Sequence, residues 1–387
     1  MRKIIVVCEG LHSHTIVAQP WKHAIELATR IKKLGTDVEI VSDRLRGEEE
    51  NEEIRSVPIV RVKKKSFFLD ANVLAKLLNQ EEPSVVNWHC SDIWSSFYFS
   101  RLGKKTNFNI VWTLHSGPLT LSDVKSLSWQ DILQLHVFWN NFVSAYFPKA
   151  MIRGWASLPS IKHIITLSER MAGKLVDFGI SQEKITCIPS GVDVDVFRPS
   201  TESCDGSSIL YFGPLSRFRG IDVLLAAYSE IRKRFPSSRL VILARGAKPD
   251  NHWIRKAASM QNLELVTGTL SQEEIIRYLR ESSIIALPFK LWPQVECPST
   301  VLEAMAIGKV VVTTSIGGVQ EIVENGENGF VIPPNDSGRL ASVILRLLNE
   351  PEEQGKIGRR ARKHVERYYD WRVVTRNTMK VLSKCAS

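Results

Sequence analysis

The sequence predicts an α/β protein made of two doubly wound parallel sheets, and three observations carry that expectation. Short β-branched runs alternate with amphipathic stretches along the whole chain. Most of those runs are continuously apolar, as strands covered on both faces are, where half-exposed strands alternate with period two. The alternation is interrupted once, by a stretch rich in Ser, Asp, Gly and Pro, so two βα series stand side by side in the chain. A length of 387 residues suits two domains of ordinary size.

The first series places strands at Ile4–Val7, Val38–Val41, Val85–Trp88, Ile110–Leu114 and Ile164–Leu167. The second places them at Ile209–Phe212, Leu240–Leu243, Leu263–Val266, Ile284–Leu287 and Val310–Thr313. Helices fill the gaps. The clearest begins at Ile221, where Ile221, Leu224, Leu225, Tyr228, Ile231 and Phe235 recur on one helical face. The interruption is Pro189–Ser208, PSGVDVDVFRPSTESCDGSS. The expected division is therefore an N-terminal domain over 1–188, a linker over 189–208, a second domain over 209–370, and a terminal helix over 371–387 that crosses back to the first. The charge-segregated pair Glu48–Glu53 and Arg61–Lys65 reads as a solvated loop and strand edge.

With 51 Lys and Arg against 41 Asp and Glu, the formal charge of +10 favours anionic partners without choosing among nucleotide phosphates, nucleic acid and an acidic membrane. The six cysteines are scattered with no CxxC pair, which reads as buried, reduced thiols of a cytosolic protein. The N-terminal apolar run is too short for a signal peptide, and no stretch reaches the roughly 18 residues of a membrane span.

Ligands of such sheets bind beyond the carboxyl ends of the strands, so the turns there are the candidate sites. Gly10, in EGLHSHTIVAQ after the first strand, would let backbone amides approach an anion, and His12 and His14 could donate to it. The alternative is a long loop with incidental histidines. His115 closes VWTL and stands where polar or acid/base work on a substrate is done, although lone histidines are often structural. In YFGPLSRFRG, Arg217 and Arg219 share a face of an extended segment and offer forked donors suited to phosphate, or are simply solvated. Arg245, in the next turn, is a further cation. In ECPSTVLE, Ser299 or Thr300 can cap a helix Val301–Ile307 whose amides suit hydroxyls or phosphate, and Thr300 with Glu303 matches a capping box. Gly317 and Gly318 permit close backbone approach after the last strand. No HExxH, GxSxG, GxxxxGK[ST] or strict GxGxxG motif occurs, and metal-ligand spacing is absent.

ILYFGPLSRFRGIDVLLAAY and PSTVLEAMAIGKVVVTTSIGGVQEIVENGENGFVIPPND resemble the retaining GT-B glycosyltransferases of the glycosyl-transferase group 1 type, which are glycosyltransferase family 4-like. IPSGVDVDVFRP and IKHIITLSERMAGKLVDFG look like that family's interdomain segment and last N-terminal strand and helix. The resemblance implies a GT-B fold of two Rossmann-like domains facing a cleft. It also implies sugar transfer from a nucleotide-diphospho-sugar with retained configuration, no cofactor and no obligatory metal. The family grips the diphosphate with an Arg and a Lys five residues apart; those positions are Pro214 and Arg219 here. Glu303 matches the glutamate that binds the nucleotide ribose. The sugar-contacting glutamate, eight positions earlier, falls on Val295, with Glu296 one residue closer. His115 resembles the histidine near the reaction centre, and backbone near Gly268 would meet the base.

The resemblance thus assigns His115 and Glu296 to catalysis. It assigns Gly10, Arg217, Arg219, Arg245, Gly268, Ser299, Thr300 and Glu303 to the donor, with Arg219 taking the main charge role. The partners it implies are a GDP- or UDP-sugar and a glycan or lipid-linked acceptor, with no nucleic acid. The aromatic, basic stretch Lys125–Trp155 suits either a core helix layer or an anionic membrane surface. The expected place is cytoplasmic, with peripheral attachment to a membrane's inner face as an extension of that reading. The competing expectation is a glycosyltransferase-like subunit without catalysis that scaffolds a partner.

Overall fold

A computed structural model describes residues 3–12, 15–16, 19–45, 49–65, 68–90, 108–117, 149–200, 206–244, 251–290 and 296–386. His14, Arg245, Val295 and the greater part of the aromatic stretch, 118–148, lie outside the described residues. The chain divides into two compact units: Met1–Ser190 with Trp371–Ser387, and Gly191–Asp370.

In the first unit the strands are β1 (Lys3–Cys8), β2 (Asp37–Asp43), β3 (Asn51–Ile54), β4 (Val57–Val62), β5 (Lys64–Lys65), β6 (Phe68–Leu69), β7 (Val85–Cys90), β8 (Ile110–Leu114), β9 (Ile161–Thr166) and β10 (Ile185–Cys187). Eight form one sheet in the order β10-β9-β8-β7-β1-β2-β4-β3, while β5 and β6 pair separately. All neighbours in the large sheet are parallel except the β3–β4 pair. Alternate residues of β1 serve two cores, which is why its sequence is apolar throughout. Ile5 and Val7 pack with Trp88, Trp112 and Trp155. Ile4, Val6 and Cys8 pack with helix Trp21–Lys33 and with Trp371, Val374 and Leu382 of helix Trp371–Ala386. The chain's last helix is therefore part of the first unit's core.

The second unit carries β11 (Ser208–Gly213), β12 (Arg239–Ala244), β13 (Leu263–Thr267), β14 (Ile284–Leu287), β15 (Val310–Thr314) and β16 (Phe330–Ile332). They form one parallel sheet in the order β13-β12-β11-β14-β15-β16. In each sheet the connections run outward one way and then the other. The switch falls between β1 and β7 in the first unit and between β11 and β14 in the second. A crevice opens outside the carboxyl ends of the strands at such a point.

Two sequence expectations are corrected. The charge-segregated stretch, described over 49–53 and 61–65, is a strand edge as expected, with Glu53 exposed on the last strand of the sheet, but not a loop: β3 and β4 form an antiparallel hairpin. Its turn places Arg55 and Ser56 at φ of 52° and 64°, a left-handed pair that neither residue type signals. Arg61 is buried, with its guanidinium bonded to the Glu52 carboxylate and to Leu11 O. The second correction is the expected capping box at Thr300–Glu303. Helix Ser299–Ala306 begins two residues earlier than predicted, and Pro298 holds the cap position at φ −71°, ψ 119° without a side-chain cap. Thr300 is already inside the helix, so its hydroxyl cannot reach the amides ahead of it. The capping box of this unit is Ser271 with Glu274 instead.

Candidate functional site

Each sheet presents one polar group of residues at its switch point, and the two differ in kind. In the first unit β7 carries His89 as its next-to-last residue, and His115 stands one residue past Leu114, the end of β8. The His115 N–H donates to Cys90 O at 2.9 Å, which extends the ladder and holds the two imidazoles side by side. His89 Nδ1 lies 2.9 Å from His115 Nε2, and His89 Nε2 lies 2.7 Å from Asn87 Oδ1. Asn87 Nδ2 in turn donates to Val111 O at 3.2 Å and to Thr113 Oγ1 at 2.8 Å. His23, from helix Trp21–Lys33, sets its ring edge-on against His115 with centroids 4.9 Å apart, and its Nδ1 lies 3.2 Å from Ser190 Oγ. Trp371 closes the group from the terminal helix, 5.0 Å from the His23 ring. Burial holds His23 down to about 3, against the opposing pull of Glu26, and holds His89 and His115 well below the ordinary imidazole value, with repulsion from His23 adding to it for both. All three rings are therefore neutral near pH 7.

Gly10 stands at the end of β1 with φ 77°. Its N–H donates to the Asp43 carboxylate, and the Leu11 N–H donates to Ser42 Oγ at 3.1 Å. These two amides are thus engaged by β2. Buried His12 places Nε2 3.5 Å from Asp43 Oδ2, and Lys64 Nζ lies 2.9 Å from the same oxygen.

In the second unit the turn after β11 is cationic. Tyr211 OH donates to Pro214 O at 2.6 Å and ties the turn back onto the strand. Arg217–Arg219 form a short 3-10 turn, and Gly220 follows at φ 74°. A Cβ at Gly220 would stand 1.7 Å from Pro288 O, so only glycine lets this turn lie against the end of β14. That contact brings Arg219 over the Phe289 ring, with its guanidinium carbon 5.2 Å from the centroid. Arg219 is half-buried, and no carboxylate pairs with it among the described residues. Desolvation pulls its pKa below the usual value, but a guanidinium keeps its proton in proteins. Arg217 Nε lies 3.7 Å from Asp222 Oδ2 and Lys290 Nζ lies 2.8 Å from it, so the two cations share one carboxylate.

Lys290 is the residue that sequence reasoning missed. Its position three residues beyond the strand Ile284–Leu287, at the same edge as Arg219, was the available signal. The hydroxyls of Thr313 and Thr314 fix that segment by donating to Leu287 O at 2.9 Å and Phe289 O at 2.6 Å.

The remaining assigned residues among those described fall on the same edge. Glu296 and Glu303 are buried, at 2% and 1% exposure, ahead of and within helix Ser299–Ala306, and buried Thr300 has no hydrogen-bond partner for Oγ1 among the described residues. Gly268 follows outer strand β13, two strands from β11, at φ 112°, and open space surrounds the position a Cβ would take there. Gly317 takes φ 62° and precedes the single helical turn Val319–Ile322. Among the described residues no group of three or more His, Cys, Asp or Glu is gathered for a metal, and no helix is long and apolar enough to cross a membrane. Trp155, from the described end of the aromatic stretch, is buried in the first unit's core.

Two parallel-sheet α/β units of this order define the GT-B class. Solved structures share that fold. A Rickettsia africae glycosyltransferase superposes with a TM-score of 0.77 at 20% identity, covering 99% of this chain and 98% of that one. HepE of Anabaena, solved with UDP-glucose, superposes with a TM-score of 0.75 at 14% identity, covering 99% and 100%. Residues 206–350 match the Glycosyl transferases group 1 family, and residues 21–196 match Glycosyltransferase Family 4. The chain belongs to the group 1 glycosyltransferases.

Among curated relatives, a glycogen synthase of Mycobacterium tuberculosis is 29% identical over 227 residues, 56% of this chain and 53% of the relative. An MMP alpha-(1->4)-mannosyltransferase of Mycolicibacterium hassiacum is 26% identical over 250 residues, 62% and 60% respectively. The matched stretch thus spans only a little over half the length of these relatives.

Proposed function

We propose that this protein is a retaining glycosyltransferase that moves a sugar from a nucleotide-diphospho-sugar, such as a UDP- or GDP-sugar, to a hydroxyl of a glycan or lipid-linked acceptor. The observation that carries the reading is Arg219: a half-buried cation, with no carboxylate pairing among the described residues, held at the switch point of a parallel sheet by a turn that only Gly220 permits. A cation placed there without an internal counter-charge suits an anion from outside, and a diphosphate supplies one. The UDP-glucose bound to HepE supports the donor class, and the mannosyltransferase named among the relatives supports sugar transfer.

In the transfer, the bond from the sugar's anomeric carbon to the diphosphate oxygen breaks, and its electron pair leaves with the diphosphate. The acceptor oxygen bonds to the same carbon on the same face, and the acceptor proton departs with the diphosphate. Arg219, helped by Lys290 and Arg217, neutralises the charge that grows on the leaving group, which is the term expected to carry most of the rate. Glu303 takes the nucleotide ribose, and Glu296 and His115 take the sugar. The charge role belongs to protein cations, so turnover is expected to persist in a chelator without an obligatory metal.

The test is a donor screen by thermal shift with UDP-, GDP- and ADP-sugars, followed by slow donor hydrolysis with anomer-resolved product detection. Binding and hydrolysis of one donor support the enzyme. Silence across every donor would leave the non-catalytic subunit as the better account.

A further inference from the structure

The histidine group of the first unit contains a chain of hydrogen bonds whose polarity is set at one end by a backbone carbonyl. Val111 O can only accept, so the Asn87 atom facing it is the amide nitrogen, and the same NH2 group supplies Thr113 Oγ1. That orientation turns Asn87 Oδ1 toward His89, and an amide oxygen can only accept. His89 Nε2 therefore carries the ring's proton and donates across 2.7 Å. In a neutral ring the other nitrogen is then bare, so His89 Nδ1 must accept across the 2.9 Å to His115 Nε2. His115 Nε2 in turn carries its ring's proton, and His115 Nδ1 is left as a lone pair. That nitrogen is buried and has no hydrogen-bond partner among the described residues.

We infer that Asn87 and His89 are positioning residues that lock His115 in the Nε2–H tautomer, so that His115 Nδ1 meets the substrate as an acceptor and reads a hydroxyl group of the sugar. The ligand half of this inference rests on the proposed function; the tautomer lock does not. A histidine free to flip its proton would bind a hydroxyl, a carbonyl or a carboxylate with little preference. One locked with a bare Nδ1 selects groups that bring a proton. A buried acceptor left unmet is costly, so a sugar lacking that hydroxyl is penalised more than the loss of an exposed contact would be.

The lock is read without any substrate. In protein labelled with 15N-histidine, long-range 1H–15N correlation shows which ring nitrogen is protonated, and His115→Gln identifies the signal. The expected wild-type pattern is Nε2–H for both His89 and His115, with no change between pH 6 and 8. An Nδ1–H form of His115 in the wild-type protein overturns the inference, whatever the variants do.

The conservative and the disruptive variants then separate positioning from packing. In His89→Gln the amide oxygen still accepts from His115 and the NH2 still donates to Asn87, so the tautomer persists. In His89→Leu both bonds go and the two tautomers mix. With the donor that turns over in the screen, kcat/KM for hydrolysis should fall about 10-fold in His89→Leu and less than about 2-fold in His89→Gln. One of that donor's monodeoxy analogues should lose about 10-fold in the wild type and show little further loss in His89→Leu. Equal losses in Gln and Leu, both folded by thermal melt, would show that His89 merely packs and would sink the positioning role. An Nε2–H signal without turnover of any donor overturns the reading of a sugar hydroxyl and the proposed function together, while the lock stands on the spectrum.

Discussion

The carboxyl edges of the two sheets are built alike and charged differently. Both lie where parallel connections reverse, at β1/β7 and at β11/β14, and both receive side chains from turns that leave adjacent strands. At the first edge three imidazoles are packed together and hydrogen-bonded, two of them to each other, and burial strips them of charge. At the second, Arg217 and Lys290 share one carboxylate while Arg219 lies over the Phe289 ring with none, so the local balance is positive. The difference teaches that the architecture supplies only the place. The turn residues make one edge neutral and the other cationic.

The largest expected effect on this contrast comes from acid. His23, His89 and His115 have folded pKa values below their unfolded value of about 6.5, so the unfolded chain binds more protons below that pH. Stability is then full above about pH 6.5 and falls as the pH drops toward 3, by up to about 1.4 kcal/mol per pH unit for each histidine. Urea unfolding of the first unit at pH 7 and pH 5 checks this. Replacing His23 by Gln should flatten the dependence by about that one-histidine slope, and an unaltered slope would mean that the ring is charged in the folded state.

Next in size is Gly220→Ala. A Cβ at 1.7 Å from Pro288 O with φ 74° leaves no relaxed solution, and the expected loss is about 3 kcal/mol or more of the second unit's stability. Scanning calorimetry should show the second unit melting earlier while the first stays put. An unchanged thermogram would refute the close packing of the turn against β14.

Arg219→Ala probes the cationic edge directly. Losing a charge-assisted contact worth roughly 1.5–3 kcal/mol raises the donor Kd by about 10- to 100-fold in titration calorimetry. An unaltered Kd would remove Arg219 from the donor site.

The smallest effect is expected from Asp222→Asn, which frees Lys290 and Arg217 from their shared carboxylate. Because Asp222 and Arg217 are partly exposed, the gain in nucleoside diphosphate affinity should be no more than about 5-fold, and it should shrink in high salt. Weaker binding would mean that the carboxylate orients the cations instead of competing for them.

How much of this was legible can be seen residue by residue. Ten strands were readable because a buried parallel strand needs a nearly continuous apolar run, and β1, β11, β12 and β14 have an unbroken one. The hairpin of β3 and β4 was not, since its burial comes from what packs on it and its turn lacks Gly or Asn. Arg61 read as solvated because nothing local announces Leu11 O and Glu52 as its partners. His115 was visible at the end of its strand, whereas His23 and His89 were not, because they meet it from residues 92 and 26 positions away in the chain.

By itself the sequence determined the two βα series, the arginine-bearing turn YFGPLSRFRG after a strand, and the family to which the chain belongs. Each is written in contiguous residues: periodicity, a turn and a motif are local. Only the tertiary structure decided that Arg61 is buried against Leu11 O and Glu52 and that Pro298 displaces the expected capping threonine. It alone showed that Lys290 joins Arg217 at Asp222, and that Asn87 and His89 link the Val111 carbonyl to His115. These depend on groups brought together across the chain, and hydrogen-bond polarity passes through space, not along the sequence.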